Sequence, residues 1–158
     1  MRPDADGPGP GPGPGRTLFR FVRHWSRRIP GAGPERGRDV MVTEAVLARQ
    51  EEGGATVNAV AEELGIDQSG ASRLAAQAER RGYLRKAPAP GDARRRVLVV
   101  TDEGAELLRA AHRRQESVFA GLTADWTGAE VEEFHRLMRR LTAARHDPPD
   151  RGGRSERG

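Results

Sequence analysis

The spacing of apolar residues predicts two consecutive short helices in the middle of the chain. The first spans residues 57–64, where Val60, Ala61 and Leu64 recur at the spacing of one helical face. The second spans residues 68–81, and its apolar positions again share one face. Those positions are Ala71, Leu74, Ala75 and Ala78. Each helix therefore presents one apolar side to a common core and one polar side to solvent.

The residues between and after these helices are typical of helix ends and helix starts. Gly65 and Gly82 follow the last apolar positions, where glycine readily takes the left-handed conformation that ends a helix. Between the helices, we expect Ile66 to enter the core and Asp67 to cap the second helix by accepting from its free N–H groups. Two helices joined by such a short turn form a helix-turn-helix unit, whose second helix enters the DNA major groove with its N-terminus first.

A β-hairpin is predicted immediately after the second helix. Residues 83–87 form a short strand, which Pro88, Pro90 and Gly91 interrupt, and the β-branched residues at 97–100 form the return strand. The tip between the strands has the sequence GDARRR. We also expect a short strand at residues 55–56 to join this hairpin. Such a hairpin after a helix-turn-helix unit is a wing.

Charge is strongly polarised along this part of the chain. Residues 68–96 include eight arginine and lysine residues and two acidic residues, a net charge of +6, whereas residues 39–66 have a net charge of −5. The whole chain has a net charge of only +4. Positive charge is therefore concentrated on the second helix and the wing, as in a protein that binds the phosphate backbone of a nucleic acid.

These stretches resemble the winged helix-turn-helix regulators of the MarR family. The resemblance lies in TVNAVAEELGIDQSGASRL, in ERRGYLRK, and in a wing pattern of Asp92 and Arg94 followed by Val100-Thr101 and Glu103-Gly104. It implies a mainly α-helical fold with a small antiparallel β wing, dimerising through its N- and C-terminal helices. It also implies a homodimer that binds a palindromic operator and responds to a small anionic or phenolic ligand.

Composition and periodicity divide the rest of the chain. Residues 1–16 form a Gly/Pro-rich arm that we expect to be disordered, and residues 146–158 form a flexible polar tail. Between them, residues 17–145 resemble the family's winged helix domain. Its DNA-binding part is expected at about residues 40–101, and its dimerisation helices at about residues 17–30 and 102–145.

Two helices are predicted before the central motif. The first begins with Thr17 as its N-cap and ends before Pro30. The second spans about residues 40–51, after a Gly/Pro-rich loop at residues 31–38. The first helix has a stripe of large apolar side chains, which are Leu18, Phe21, Val22, Trp25 and Ile29.

Two helices are predicted after the wing. Thr101 caps a long helix at residues 102–122, and Thr127 with Glu130 forms a capping box before a last helix at residues 128–144. Only 35% of the residues are hydrophobic, so the core is thin and long helices must bury their apolar faces against a second subunit. The expected two-fold interface includes Leu18, Trp25, Val118, Phe134 and Leu141.

Several other classes of protein are excluded by composition and motifs. The chain has no cysteine, so it has neither a disulfide framework nor a thiol redox switch. No apolar run approaches the ~20 residues of a membrane span and no signal peptide is visible, so we expect a cytoplasmic, nucleoid-associated protein without a membrane partner. Neither a catalytic motif nor a metal-binding spacing of histidines occurs, so we expect no enzyme, no metal and no cofactor. The histidines are His24, His112, His135 and His146.

The predicted function is sequence-specific binding to double-stranded DNA by a homodimeric transcriptional repressor. The expected DNA-binding residues are Gln68, Ser69, Ser72, Arg73, Arg80, Asp92, Arg94, Arg95 and Arg96. Within the wing, we expect Asp92 to orient Arg94 through a charge-assisted hydrogen bond, so that Arg94 inserts into the minor groove.

The resemblance also implies release from DNA by a small anionic or aromatic effector. The residues that would line its pocket are His24, Trp25, Arg28 and Arg113. The alternative is a constitutive architectural or protein-interaction winged helix without an effector. Three consecutive arginines at a turn favour DNA binding over that alternative, because protein contacts have no need of them.

Overall fold

The computed structural model describes residue 11 and residues 13–25 and 33–144, which form six helices and a two-stranded sheet. In chain order the elements are α1 (Pro14–Trp25), α2 (Pro34–Glu51), α3 (Val57–Leu64), α4 (Gln68–Arg80), β1 (Leu84–Ala89), β2 (Asp92–Val100), α5 (Asp102–Leu122) and α6 (Gly128–Ala143). The chain divides into two compact units, residues 1–108 and 109–158. The predicted fold class, mainly α-helical with an antiparallel β wing, is confirmed.

Some predicted features lie outside the described residues. These features are the C-terminal tail at residues 146–158, almost all of the Gly/Pro-rich arm, and the end of the first helix before Pro30.

Glycine residues end both helices of the helix-turn-helix unit, as predicted. After α3, Gly65 has φ +63° and the N–H of Ile66 donates to the Ala61 carbonyl oxygen. After α4, Gly82 has φ +83° and the next N–H donates to the Ala78 carbonyl oxygen at 2.9 Å. Both patterns are those of the Schellman motif, in which a left-handed residue lets the chain satisfy the last carbonyl groups of the helix.

The turn between α3 and α4 confirms the predicted cap and corrects one predicted core residue. Asp67 Oδ1 accepts a hydrogen bond from the Gly70 N–H at 2.7 Å at the start of α4. Ile66, however, is 38% exposed rather than buried. The left-handed turn at Gly65 directs Ile66 along the first turn of α4, where its Cδ1 lies beside Gly70.

The core of the first unit is built mainly from valine and alanine. It lies between α2, α3, α4 and the hairpin, and its buried side chains are Val42, Ala45, Val46, Ala55, Val60, Ala75, Ala78, Leu84 and Leu98. Small side chains let the helices approach closely, but each one removes little apolar area from water. Contacts between polar groups of neighbouring elements are therefore important for the relative placement of these elements.

The wing hairpin is longer than the sequence pattern predicts. β1 and β2 pair as far as Ala89 opposite Asp92, whereas the predicted strands end at residue 87 and resume at residue 97. Pro88 does not end β1, because a proline on an edge strand leaves no hydrogen-bond donor unpaired. Pro90 and Gly91 form the tight turn itself, and Gly91 has the φ of +78° that the second central position of a type II turn requires.

The outer edge of β2 is held by groups from α2 and the loop after it. The strand predicted at residues 55–56 is present as a single β-bridge, in which the Leu98 N–H donates to the Ala55 carbonyl oxygen at 2.8 Å. Gln50 Oε1 accepts from the Val100 N–H, also at 2.8 Å. These two hydrogen bonds fasten the base of the wing to α2 and the loop that follows it.

Both N-terminal helices begin earlier than predicted. α1 begins at Pro14, and the Thr17 N–H donates to the Gly13 carbonyl oxygen at 3.1 Å, so Thr17 lies inside the helix and does not cap it. The arm predicted at residues 1–16 therefore overlaps the first three residues of α1. α2 begins at Pro34 rather than near residue 40. Proline suits the first turn of a helix, because its φ is already helical and its missing N–H has no partner there.

The start of α5 is bonded to the turn that follows α4. Thr101 caps α5 as predicted, because its Oγ1 accepts from the Gly104 N–H at 3.0 Å. The same hydroxyl donates to the Gly82 carbonyl oxygen at 2.5 Å, and the Thr101 N–H donates to the Tyr83 carbonyl oxygen at 3.1 Å. A Cβ atom at Gly104 would overlap the Tyr83 carbonyl oxygen, so only glycine allows this approach.

The second unit contains the C-terminal part of α5 and all of α6. The predicted capping box is present: Glu130 Oε2 accepts from the Thr127 N–H at 2.8 Å, and Thr127 Oγ1 accepts from the Glu130 N–H at 3.3 Å. Phe134 of α6 stacks on Phe119, with ring centroids 6.1 Å apart, and meets the edge of Trp126 at 5.3 Å. These aromatic contacts join the two helices within this unit.

Candidate DNA-binding surface

The outward face of α4 is polar and exposed. Helical geometry places Ser69, Arg73 and Arg80 close to one line along the helix, since residues four and eleven positions apart point in similar directions. Gln68 and Ser72 flank this line, and all five side chains are exposed. The opposite face of α4 is anchored in the core, so the helix presents these residues from a fixed support.

Gln77 is a further polar residue at the border of this face that sequence reasoning did not include. It lies four residues after Arg73 and three before Arg80, and it is partly exposed. Its amide group can donate and accept at the same time, which is the pattern that recognises the major-groove edge of adenine. Its helical spacing of four residues from Arg73 is the signal that could have identified it.

At the wing tip, the contact between Asp92 and Arg94 differs from the predicted one. Asp92 Oδ1 accepts from the backbone N–H of Arg94 at 3.0 Å, not from its guanidinium group. Aspartate commonly bonds the backbone two residues further on, because its short side chain reaches that N–H in a turn. The carboxylate therefore stabilises the conformation of the tip, and the Arg94 side chain itself is exposed.

β2 has a bulge in this part of the wing. Pro88 pairs with Arg96, but the next residue of β1, Ala89, pairs with Asp92. Residues 93–95 consequently have no partner on β1. Extra residues on one strand bend it and increase its twist. The sequence alone could not indicate this bulge, because it depends on the register between the strands.

The three consecutive arginines of the wing have different surroundings. Arg94, Arg95 and Arg96 are all exposed. Arg95 folds back toward the loop after α2, because its Nη2 lies 3.0 Å from the position that a Cβ atom of Gly54 would occupy. Gly54 has φ +135°, a conformation that other residues rarely adopt. Arg94 and Arg96 are therefore better placed than Arg95 to reach outward from the tip.

Two basic residues of the charged segment are bound to carboxylates within the first unit. Arg81 Nη1 donates to Asp39 Oδ2 at 2.5 Å, and its Nη2 donates to Glu35 Oε2 at 2.8 Å. The hydrogen bond to Asp39 raises the pKa of Arg81, so this guanidinium stays charged. Lys86 Nζ lies 3.3 Å from Glu79 Oε2. The other basic residues of this segment are exposed, and they are Arg73 and Arg80 on α4, Arg85 on β1, and Arg94, Arg95 and Arg96 at the wing tip.

The residues predicted for an effector pocket are only partly described. His24 is exposed at the end of α1, and Arg113 is exposed in the part of α5 that belongs to the second unit. The side chain of Trp25 and all of Arg28 lie outside the described residues. The pocket therefore stays a prediction.

Neither a metal-binding cluster nor a membrane-spanning helix occurs in the described ranges. Across residues 13–25 and 33–144, no group of three or more histidine, aspartate and glutamate side chains is placed to hold a metal ion. In the same part of the chain, no helix combines the length and the apolar character needed to cross a membrane.

The geometry agrees with comparisons to known proteins. A sequence model of the MarR family matches residues 44–95, which include α3, α4 and most of the wing. The uncharacterised HTH-type transcriptional regulator YxaD of Bacillus subtilis is 31% identical over 101 residues, which are 63% of this chain and 71% of that protein.

Solved structures extend the similarity to most of the chain. A mutant of MepR from S. aureus shares the fold, with a TM-score of 0.60 over 82% of this chain and 96% of that one, at 19% identity. PcaV, a transcriptional regulator from Streptomyces coelicolor in complex with its natural ligand, is 28% identical, with a TM-score of 0.53 over 83% of this chain and 92% of that one. With its winged helix-turn-helix unit and its exposed basic surface, the chain belongs to the MarR family of DNA-binding transcriptional regulators.

Proposed function

We propose that this protein is a homodimeric repressor that binds a palindromic operator in double-stranded DNA. The observation that carries the proposal is the exposed polar face of α4 in the same unit as an exposed arginine-rich wing tip. A helix of this kind enters the major groove, while an adjacent arm or hairpin reaches the backbone or the minor groove. Neither surface is needed to complete the core, so both remain available for DNA.

The first half of α4 supplies the base contacts in this proposal. Ser69, Ser72 and Arg73 point into the major groove, and Gln68 and Arg80 bind phosphates on either side. The guanidinium of Arg73 can donate two hydrogen bonds to guanine O6 and N7, a contact worth about 1–3 kcal/mol of base discrimination. Phosphate contacts set the register of the protein on the duplex but do not read its sequence.

The wing supplies the minor-groove contact. Arg94 inserts into the groove from a tip whose conformation Asp92 stabilises through the backbone. Narrow A·T-rich minor grooves have an enhanced negative potential that attracts arginine. Of its two neighbours, Arg96 is the better placed to neutralise a phosphate that flanks the groove, because Arg95 folds back toward Gly54.

The dimer is formed by the helices outside the DNA-binding part. Within the described chain no residue of α6 is buried, and Phe134, Leu137 and Leu141 are 39%, 44% and 58% exposed. Leu18 of α1 is also 40% exposed. Apolar stripes of this size favour burial against a second copy. A two-fold axis would place two α4 helices about 34–36 Å apart, in successive major grooves.

The dimer is tested by analytical ultracentrifugation of the full chain at micromolar concentration. We expect the mass of two chains and a shift toward one chain in a Leu141→Glu variant. A single chain with full helicity in the parent protein would refute the homodimer.

Release of the repressor by an effector is the second part of the proposal. PcaV has been solved with its natural ligand, which supports a ligand site in this fold. The candidate residues are His24, Trp25, Arg28 and Arg113. Coupling between ligand and operator is typically about 1–3 kcal/mol and must be reciprocal. If no compound in a screen of small anionic aromatic molecules changes operator affinity, the constitutive alternative replaces the effector-controlled one.

The assignment of α4 is tested by comparing two duplexes and two variants. The duplexes are an operator selected from random sequence and a scrambled version of equal length. Arg73→Ala should weaken binding to the operator more than to the scrambled duplex, because a base contact is lost along with a charge. Arg114→Ala removes an exposed arginine from α5 and is the charge-matched control, which should keep the preference for the operator. Equal losses of Arg73→Ala on both duplexes would make Arg73 a phosphate contact and refute the base-reading role.

A further inference from the structure

We propose that Arg81 is a positioning residue, which together with Asp39 and Glu35 forms a latch that sets the rotation of α4 about its own axis. The latch joins the C-terminal end of α4 to the N-terminal part of α2. By fixing this rotation, it determines which side chains of α4 face the DNA. The inference rests on the proposed role of α4 in base recognition, and it assigns no DNA contact to Arg81 itself.

The core holds α4 mainly through small side chains. Its buried side chains are Ala71, Ala75 and Ala78, and Leu74 is the larger apolar residue packed against the core. Rotational preference between helices comes from side-chain ridges that fit into the grooves of the neighbour, and alanines form only shallow ridges. A rotation by one residue, about 100°, would turn the line of Ser69 and Arg73 away from the DNA.

The latch adds a directional contact at the end of α4 to the packing of these alanines. Glu35 and Asp39 are four residues apart and lie on the same face of α2, one turn from each other. The planar guanidinium of Arg81 donates one nitrogen to each of them, at 2.8 and 2.5 Å. Two simultaneous bonds from a rigid fork constrain direction as well as distance.

Burial makes the latch difficult to open. The Asp39 side chain is 5% exposed, whereas those of Arg81 and Glu35 are 35% and 73% exposed. A buried carboxylate without its partner would be strongly unfavourable, so Asp39 holds Arg81 in place. Glu35 then adds a weaker, solvent-exposed contact that limits the remaining rotation of the guanidinium group.

The competing role for Arg81 is a contact to a DNA phosphate. Removing the charge of Asp39 distinguishes this role from the latch, because the two roles predict different effects on DNA binding. Asp39→Asn removes one negative charge from the protein, which by itself should strengthen binding to every duplex. If Arg81 were freed to bind a phosphate, affinity would rise further and the salt dependence would steepen. The latch instead requires that Asp39→Asn reduces the preference for the operator.

The test measures binding of the full chain to the selected operator and to the scrambled duplex over a series of salt concentrations. For Asp39→Asn we expect the ratio of the two affinities to fall about fivefold to tenfold, within the range of coupling through residues that touch no ligand. The slope of affinity against salt should stay that of the parent. Glu35→Gln, at a mostly exposed position, should lower the ratio of the two affinities by a smaller factor.

The matched control is Glu63→Gln. Like Asp39→Asn, it removes one carboxylate that pairs with an arginine, but here the arginine is Arg49 of α2. Glu63 lies 3.3 Å from Arg49 and joins α2 to α3 instead of α4. We expect this variant to keep the preference for the operator. If Asp39→Asn fails to fold, Glu35→Gln decides the question.

Three results would overturn the latch. They are full retention of the parent's preference in the latch variants, an equal loss of preference in Glu63→Gln, and a salt slope reduced by one phosphate contact in Arg81→Gln. A parent protein that prefers no selected duplex to its scrambled version would refute the proposed function itself. That result is seen before any variant is compared, so failure of the proposed function can be distinguished from failure of the latch.

Discussion

Replacement of Gly104 by alanine tests how closely α5 approaches the turn after α4. A Cβ atom at this position would overlap the Tyr83 carbonyl oxygen and lie 2.9 Å from Val100 Cγ1. Neither neighbour can yield easily, because the carbonyl oxygen belongs to the backbone and Val100 is hydrogen-bonded through its N–H to Gln50. The first turn of α5 must therefore move away from the wing base.

Two effects of the substitution lower the free energy of unfolding, and one effect raises it. Overpacking of a tight contact costs about 1–3 kcal/mol. Moving α5 also weakens the hydrogen bonds from Thr101 to the Gly82 and Tyr83 carbonyl groups, and a net contribution of about 1 kcal/mol is typical for each. Alanine recovers about 1 kcal/mol of helix propensity. We expect Gly104→Ala to lower the free energy of unfolding by about 3 kcal/mol.

Gly70→Ala is the matched control, since it is the same substitution in another helix of the same unit. A Cβ atom at Gly70 would lie 3.6 Å from both Ile66 Cδ1 and Asp67 Oδ1, which is ordinary van der Waals contact. The gain in helix propensity is then unopposed, and the protein should become more stable by up to about 1 kcal/mol.

The assay is urea unfolding followed by circular dichroism, with all proteins at one concentration because stability of a dimer depends on concentration. The two substitutions should move the unfolding midpoint in opposite directions from that of the parent. If Gly104→Ala is as stable as the parent, α5 does not approach Tyr83 this closely. The hydrogen-bonded connection between α5 and the end of α4 would then be refuted as well.

Three further predictions concern the wing, the last helix and acid stability. Asp92→Ala should weaken operator binding although it removes a negative charge, because the Arg94 N–H loses its acceptor; tighter binding at the same salt concentration would refute this. Arg94→Ala should abolish any preference for A·T pairs flanking the half-sites in a set of duplexes that differ only there. The hydrogen bond from the Thr127 N–H lowers the pKa of Glu130 below its ordinary value of 4.5. The stability difference between the parent and Glu130→Gln should therefore be constant above about pH 5 and disappear as the pH falls through the lowered value, which urea melts across pH would reveal.

Local patterns in the sequence were sufficient to predict the helix ends and the cap of the helix-turn-helix unit. Helix ends at Gly65 and Gly82, and the cap at Asp67, depend on residues only a few positions apart, and all three predictions are confirmed. The same holds for the caps at Thr101 and Thr127. These features are predictable because the groups that satisfy a helix terminus come from its own first or last turn.

Features that depend on distant residues could not be predicted. The first turns of α2 follow a Gly/Pro-rich stretch that resembles a loop, and its Glu35 and Asp39 find their partner in Arg81, 46 and 42 residues away. Arg81 consequently looks like part of the DNA-binding charge in the sequence but is bound to α2 in the structure. The register of β1 on β2, with its bulge at residues 93–95, also depends on pairing that periodicity does not reveal.

Selection from random double-stranded DNA with the purified full chain shows whether α4 and the wing form a sequence-specific DNA-binding surface that a symmetric dimer presents twice. We expect enrichment of an inverted repeat whose half-site centres are about 10–10.5 base pairs apart, with binding that weakens steeply as salt rises. A final pool that binds no more tightly than the starting pool at low salt would contradict this expectation.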